Sequence, residues 1–154
     1  MNIELKVIEK RITGSPEETE QYGGELALRY GENKTVFALM GDLGAGKTAL
    51  VRGAARGLGC IDAASSPTYA IVNEYRGPRR VCHFDMYRIT DADALYDIGW
   101  EDYLASGALC FVEWSENILE ALPKDTLYIQ IEKLGDEMRC ITVCSKEEGN
   151  PESC

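Results

Sequence analysis

At 154 residues with 45% hydrophobic side chains, the chain has the size and apolar content of one domain, and no second domain is needed. Sixteen basic against twenty-six acidic residues leave a formal net charge of −10, which repels polyphosphate backbones and disfavours a stand-alone nucleic-acid binder. No apolar run reaches the roughly 18 residues of a membrane span and no basic, apolar leader opens the chain, so a cytoplasmic protein without membrane contact is expected.

Asn2 to Glu9 alternates Ile3, Leu5 and Val7 with polar residues, the pattern of a strand with one solvated face. Ser15-Pro16-Glu17-Glu18 is a capping box with proline at the first helical position. Tyr22, Leu26 and Tyr30 then recur every four residues until Gly31, which predicts a structural helix. Thr35 to Met40 is a β-rich apolar run, and Thr48 to Leu58 repeats apolar residues at Leu50, Ala54 and Leu58 before Gly59.

Between that strand and that helix, Gly41-Asp42-Leu43-Gly44-Ala45-Gly46-Lys47-Thr48 fills the pattern G-x-x-x-x-G-K-[ST]. Glycines let the backbone approach an anion closely, so residues 42 to 49 (Asp42, Leu43, Gly44, Ala45, Gly46, Lys47, Thr48 and Ala49) are expected to wrap a nucleotide's phosphates. Lys47 adds a point charge, and Thr48 at the helix start offers a hydroxyl to Mg²⁺. The competing structural reading is a glycine-rich turn with no ligand.

Further along, Ser65-Ser66-Pro67-Thr68 is a polar turn feeding a strand from Tyr69 to Tyr75, and Gly77-Pro78 breaks the chain before a returning strand from Val81 to Arg88. That hairpin places Val81, His83, Asp85 and Tyr87 on one face and Cys82, Phe84 and Met86 on the other. Short helices are expected over Thr90 to Leu104, capped at Thr90 and broken near Gly99. Leu109-Cys110-Phe111-Val112 is a continuous apolar run ending in Glu113, as in a parallel strand buried on both faces. Leu127, Ile129 and Ile131 alternate, Gly135-Asp136 turns the chain and Met138 to Cys144 returns. The domain is expected to end at residue 144, followed by an acidic, disordered tail over 145–154. The six cysteines form no C-x-x-C pair and read as reduced, packed thiols.

Chemistry at such a loop needs a carboxylate at the end of a neighbouring strand. Glu113 has the more apolar strand, on which desolvation is expected to raise its pKa toward that of a general base. Asp85 competes with it, and a solvated or helix-capping role stays open for both. His83 reads as a hydrogen-bonded structural histidine with a catalytic role conceivable. Arg76, Arg79, Arg80 and Arg88 cluster at the hairpin, as a solvated turn or as an arginine facing phosphate charge. N-K-x-D is missing after Asn33-Lys34, which favours ATP over GTP.

With this loop, Ser-Pro-Thr-Tyr (66 to 69), Asn-Glu-Tyr (73 to 75), His-Phe-Asp-Met-Tyr-Arg (83 to 88) and Val-Glu-Trp (112 to 114) in order, the chain resembles the TsaE family over Ile3 to Val143. Those are P-loop ATPases of bacterial tRNA threonylcarbamoyladenosine biosynthesis. The resemblance implies a three-layer α/β, P-loop NTPase-like fold with a mixed, partly parallel sheet and antiparallel hairpins. It implies Mg²⁺ on Thr48, Asp85 and Glu113, with Lys47, Asp85 and Glu113 as the catalytic set. Thr68, in the loop Ser66-Pro67-Thr68, and Trp114 would lie by the nucleotide. It also implies a weak Mg-dependent ATPase that joins a two-protein threonylcarbamoyl transferase acting at adenosine 37, without tight tRNA binding of its own. A small P-loop phosphotransferase of nucleoside- or shikimate-kinase type is the alternative, and a nucleotide-binding scaffold without turnover is a third reading. Tyr69, where phenylalanine is common, and the variable segment Trp100 to Leu104 depart from the family pattern without touching the phosphate chemistry.

Overall fold

Alternation along the strands divides the apolar side chains of a single sheet between two helical layers. The computed structural model describes residues 4–42, 44–63 and 71–146. Its strands are β1 (Leu5–Thr13), β2 (Val36–Met40), β3 (Asp62–Ala63), β4 (Val72–Arg76), β5 (Val81–Asp85), β6 (Leu109–Glu113), β7 (Leu127–Lys133) and β8 (Arg139–Lys146), ordered β1-β8-β7-β2-β6-β5-β4-β3. The middle four, β7, β2, β6 and β5, run parallel, while β8 with β1 and β4 with β3 add antiparallel flanks. Helices α1 (Pro16–Tyr30) and α2 (Lys47–Gly57) cover one face, where Phe37, Leu39, Phe111 and Ile129 meet Tyr22, Leu26, Leu50 and Ala54. Helices α3 (Ala92–Asp97) and α4 (Trp100–Ala105), with a 3₁₀ helix over Ser115–Ala121, cover the other, where Val36, Cys82, Phe84 and Val112 meet Trp100 and Ile118. This is the expected three-layer arrangement. No described helix is long and apolar enough to cross a membrane.

Local signals placed most elements, with shifts at their ends. Ser15 caps α1 by accepting the Glu18 N–H at 3.2 Å, while the Glu18 carboxylate reaches back to the Gly14 N–H rather than to Ser15 itself. The cap of α3 is Asp91, one residue beyond the expected Thr90, because the Asp91 carboxylate accepts the Ala94 N–H at 2.8 Å. Gly99, at φ 78, separates α3 from α4. β1 starts at Leu5 and runs to Thr13, and a bulge between Val7 and Glu9 resets its phase, leaving Val7 and Ile12 exposed on an edge strand. β5 stops at Asp85 rather than Arg88, since Tyr87 and Arg88 form a turn. β8 holds Ser145 and Lys146 opposite Leu127 and Leu5. The expected turn at Ser65 to Thr68, and residues 147–154 of the expected tail, lie outside the described residues. Among those described, Cys82, Cys110, Cys140 and Cys144 are buried strand thiols with no disulfide.

Two contacts lock the layer formed by α1 and α2. The first is the approach of α1 to α2, made through glycines: a Cβ on Gly53 would lie 1.8 Å from the Glu20 carbonyl oxygen, and one on Gly23 would lie 2.1 Å from that of Leu50. The helix backbones therefore touch, and nothing larger than hydrogen fits between them. The second is Glu9 on β1, which accepts Tyr22 Oη at 2.5 Å, Arg29 Nη1 at 2.6 Å and the Tyr30 hydroxyl. Burial pushes the Glu9 carboxyl up, but these three donors outweigh it and hold it below the usual carboxylate range.

Replacing Gly53 by Ala must force the two helices apart, and a loss of about 1–3 kcal/mol is expected in urea unfolding; an unchanged midpoint would show the contact to be slack. For Glu9, a folded pKa below the unfolded one gives stability that is complete above the unfolded value and lost as pH falls through the folded one. Glu9→Gln should therefore cost about 1–2 kcal/mol at neutral pH, discounted because Arg29 is half exposed, with the gap from the parent closing below about pH 4. A gap independent of pH would contradict this.

Candidate nucleotide site

Parallel strands end together, so the loop after β2 and the acids at the ends of β5 and β6 meet at one edge of the sheet. Leu39 pairs with Glu113 across β2 and β6, and Asp85 pairs with Glu113 across β5 and β6. The strand of Glu113 thus adjoins β2, while that of Asp85 lies one further out. Alternation then turns His83, Asp85 and Glu113 to the face that carries α2.

The loop itself depends on backbone geometry that side chains would obstruct. Gly46, at φ 106, caps α2 in the left-handed region, and a Cβ on Gly41 would stand 2.6 Å from the Ile131 carbonyl oxygen. Lys47 and Thr48 are the first two residues of α2, where unpaired helix N–H groups and the helix dipole favour an anion. Ala45 is buried and closes a turn through its N–H to the Asp42 carbonyl at 3.0 Å, and Ala49 sits half-buried in the first helical turn. Leu43 and Thr68 fall outside the described residues.

Lys47 does not point free into the loop. Its Nζ lies 3.0 Å from Glu113 Oε1 and donates to the Gly41 carbonyl at 2.8 Å. On the other side of the same carboxylate, His83 Nε2 approaches Oε2 to 2.8 Å, off the ring's N–H direction, so the contact is electrostatic rather than an aligned hydrogen bond. Burial pushes the Glu113 carboxyl up, but His83 and Lys47 beside it outweigh that and hold it at about 2. The expectation of a raised pKa is reversed: an apolar strand delivers the carboxylate to two nitrogen groups, and their attraction exceeds the cost of desolvation. Asp85 is exposed and accepts the Tyr87 N–H at 3.0 Å, which fixes its carboxylate over the following turn.

His83, read from the sequence as structural, belongs to this cluster. A hint existed in the alternation His83-Phe84-Asp85, but only the parallel pairing of β5 with β6 brings His83 to Glu113. Asn73, opposite His83 across β4 and β5, joins it: Asn73 Oδ1 and His83 Nε2 are the two buried side-chain polar atoms without a hydrogen-bond partner among the described residues. Arg76, Arg79 and Arg80 lie elsewhere, because they precede the start of β5 while the loop follows the end of β2. Arg79 donates to the carbonyls of Gly31, Lys34 and Gly107 there, and Arg80 pairs with Glu74 at 2.8 Å. Arg88 alone of the four follows the loop-side end of β5.

Trp114, next after Glu113, takes φ 60, the one positive φ outside glycine among the described residues. Such a conformation costs about 1–2 kcal/mol. Asn117 holds it in place by donating its N–H to the Trp114 carbonyl at 3.1 Å and its side-chain amide to the Met86 carbonyl at 2.9 Å. The Trp114 ring, 45% exposed, leans on Tyr87 with centroids 4.9 Å apart. Trp114 therefore stands at the edge of the site, available to a ligand or partner.

The residues fit a nucleotide with a hard cation. Glycines hold the loop open, and the hydroxyl and carboxylate oxygens of Thr48, Asp85 and Glu113 are the hard donors that suit Mg²⁺. Among the described residues no three His, Cys, Asp or Glu side chains are gathered to hold a metal alone. A groove of about 1140 Å³ along α3 and α4 is lined by Asp93, Asp97, Glu101, Asp102 and Glu120, which would repel phosphate.

Comparison with known proteins identifies relatives over most of the chain. A family model described as "Threonylcarbamoyl adenosine biosynthesis protein TsaE" matches residues 13–141. The tRNA threonylcarbamoyladenosine biosynthesis protein TsaE of Bacillus subtilis is 40% identical over 131 residues, spanning 84% of this chain and 81% of that protein. The protein of the same name from Treponema pallidum is 34% identical, spanning 86% and 97%. A crystal structure of Bacillus subtilis YdiB superposes with a TM-score of 0.70 at 34% identity, covering 95% of this chain and 90% of that one. Sequence and architecture agree over nearly the same span, and the chain belongs to the TsaE family.

Proposed function

We propose that this protein is an Mg-dependent ATPase of tRNA threonylcarbamoyladenosine biosynthesis, working in the cytoplasm as the partner of a two-protein threonylcarbamoyl transferase. The role in that pathway is the family's; the hydrolytic and partner-directed parts are our reading. The observation that carries it is the 3.0 Å contact between Lys47 of the loop and Glu113. The loop lysine and the strand-end carboxylate are already together, and a bound triphosphate would compete with Glu113 for the ammonium group.

Lys47 would turn to the phosphates and the amides of residues 44 to 48 would enclose them. Released from Lys47 and still ionised, Glu113 could orient the attacking water, with His83 holding its second oxygen. Thr48 and Asp85 would hold Mg²⁺, which supplies positive charge against the charge developing on the transferred phosphoryl group. Trp114 and Thr68 would border the nucleotide. Arg76, Arg79 and Arg80 lie at the far end of the sheet, where Arg79 and Arg80 are engaged, which supports slow turnover that rises when partners dock. A net charge of −10 supports recruitment to tRNA through those partners.

Equilibrium titration with Mg·ATP tests the loop. Lys47→Ala is expected to lose at least about 100-fold in affinity, because the charge facing the phosphates is gone; unchanged affinity would remove the basis of the assignment. The two carboxylates should separate in single-turnover assays across a magnesium series. Glu113→Gln is expected to keep nucleotide affinity within about threefold and lose at least about 100-fold in turnover, whereas Asp85→Asn should also weaken the magnesium dependence of binding. Normal turnover by Glu113→Gln, or indistinguishable variants, would defeat this division. Stimulation of hydrolysis by the purified transferase pair is the test of the partner reading.

A further inference from the structure

We infer that Arg139, at the start of β8, is the positioning residue that sets the phosphate loop for nucleotide. The inference rests on reading that loop as the nucleotide site. Arg139 is 94 residues beyond Ala45 in the chain, yet its Nε donates to the Ala45 carbonyl at 2.8 Å and its Nη2 reaches the Gly44 carbonyl at 3.4 Å. The other edge of the guanidinium is fixed at home. Nη1 donates to the carbonyls of Gly135 and Met138 at 2.9 Å and approaches that of Asp136 at 3.2 Å, all in the turn between β7 and β8.

The consequence follows from the planarity of the peptide. In a trans peptide the C=O and the next N–H point opposite ways, so a carbonyl held outward turns the following amide inward. Holding Ala45 C=O aims Gly46 N–H into the cradle, and that amide has no hydrogen-bond partner among the described residues. Holding Gly44 C=O likewise orients Ala45 N–H, which closes the turn to Asp42 at 3.0 Å. Gly46 is in the left-handed region, at φ 106, where glycine is free to swing. An external anchor is what such a residue needs. The guanidinium sits directly behind it, 3.8 Å from where a Gly46 Cβ would be, and it hydrogen-bonds only to carbonyl oxygens among the described residues. Its full positive charge therefore also stands behind the loop.

A rigid five-donor fork can bridge two backbones at once, whereas an ammonium group cannot span the same carbonyls. The test uses the full chain with Arg139→Lys and Arg139→Gln, titrated with Mg·ATP and Mg·ADP and followed by thermal unfolding without nucleotide. Expected are melting temperatures within about 5 °C of the parent, affinities for both nucleotides weakened at least about tenfold, and kcat at saturating ATP changed less than about threefold. The charge-conserving Lys variant should not rescue binding. Affinities within twofold of the parent, with or without a fall in melting temperature, would show that Arg139 only staples its own turn and would overturn the inference. Failure of both variants to fold would overturn it too, since that is the behaviour of a residue whose work is structural. Absence of nucleotide binding by the unaltered chain would remove the nucleotide reading itself, and this inference with it.

Discussion

The site depends on a single geometric constraint: β2, β6 and β5 are parallel neighbours, so their C-terminal ends lie side by side. A loop that follows one of them and acids that end the other two are thereby brought together without any dedicated scaffold. The Lys47–Glu113 pair is the seam between these parts, joining the first residue of α2 to the last residue of β6. Because both partners are largely buried and the carboxylate also meets His83, the pair fixes where charge sits before any ligand arrives. It also satisfies a lysine that would otherwise lie in the site without an anion.

Rigidity at that seam comes from behind. Helix α2 cannot slide on α1, because the glycines between them leave backbone against backbone, and both helices are seated on the large apolar face of the sheet. The β7–β8 turn closes the cradle from the opposite side through the carbonyls of Gly44 and Ala45. A loop rich in glycine is flexible by itself; here it is bounded by a helix that cannot move and by a guanidinium anchored in a hairpin. The strained backbone of Trp114, held by Asn117, is a further fixed part at this edge of the sheet.

Charge is distributed in keeping with this arrangement. The protein as a whole is strongly acidic, yet at the loop Lys47, Arg139 and a helix N-terminus stand among the carboxylates of Asp85 and Glu113. The acidic groove along α3 and α4 lies on the far face of the sheet. Positive groups are thus gathered at one place, while a net charge of −10 repels long polyanions from the surface as a whole.

Much of this was legible in the chain as a string of letters, because local signals have local causes. The run from Thr35 to Leu58 announced strand, cradle and helix; Ser15 and Pro16 announced the start of α1; the alternation around Gly135 announced the last hairpin. Glu113 stood out at the end of an apolar strand. These features depend on residues within a few positions of one another, on the steric needs of glycine and proline and on the period of the backbone. The tertiary structure decided everything that required knowing which strands are neighbours. Strand order made His83 a partner of Glu113, set Glu113 beside the loop strand and Asp85 one strand away, and carried Arg76, Arg79 and Arg80 to the wrong end of the sheet. It reversed the expected pKa of Glu113, since an apolar strand predicts burial but not the two nitrogen groups waiting at its end. It brought Arg139 onto the loop from 94 residues away, with no signal in either segment, because contacts between elements follow from register and packing that no local pattern encodes.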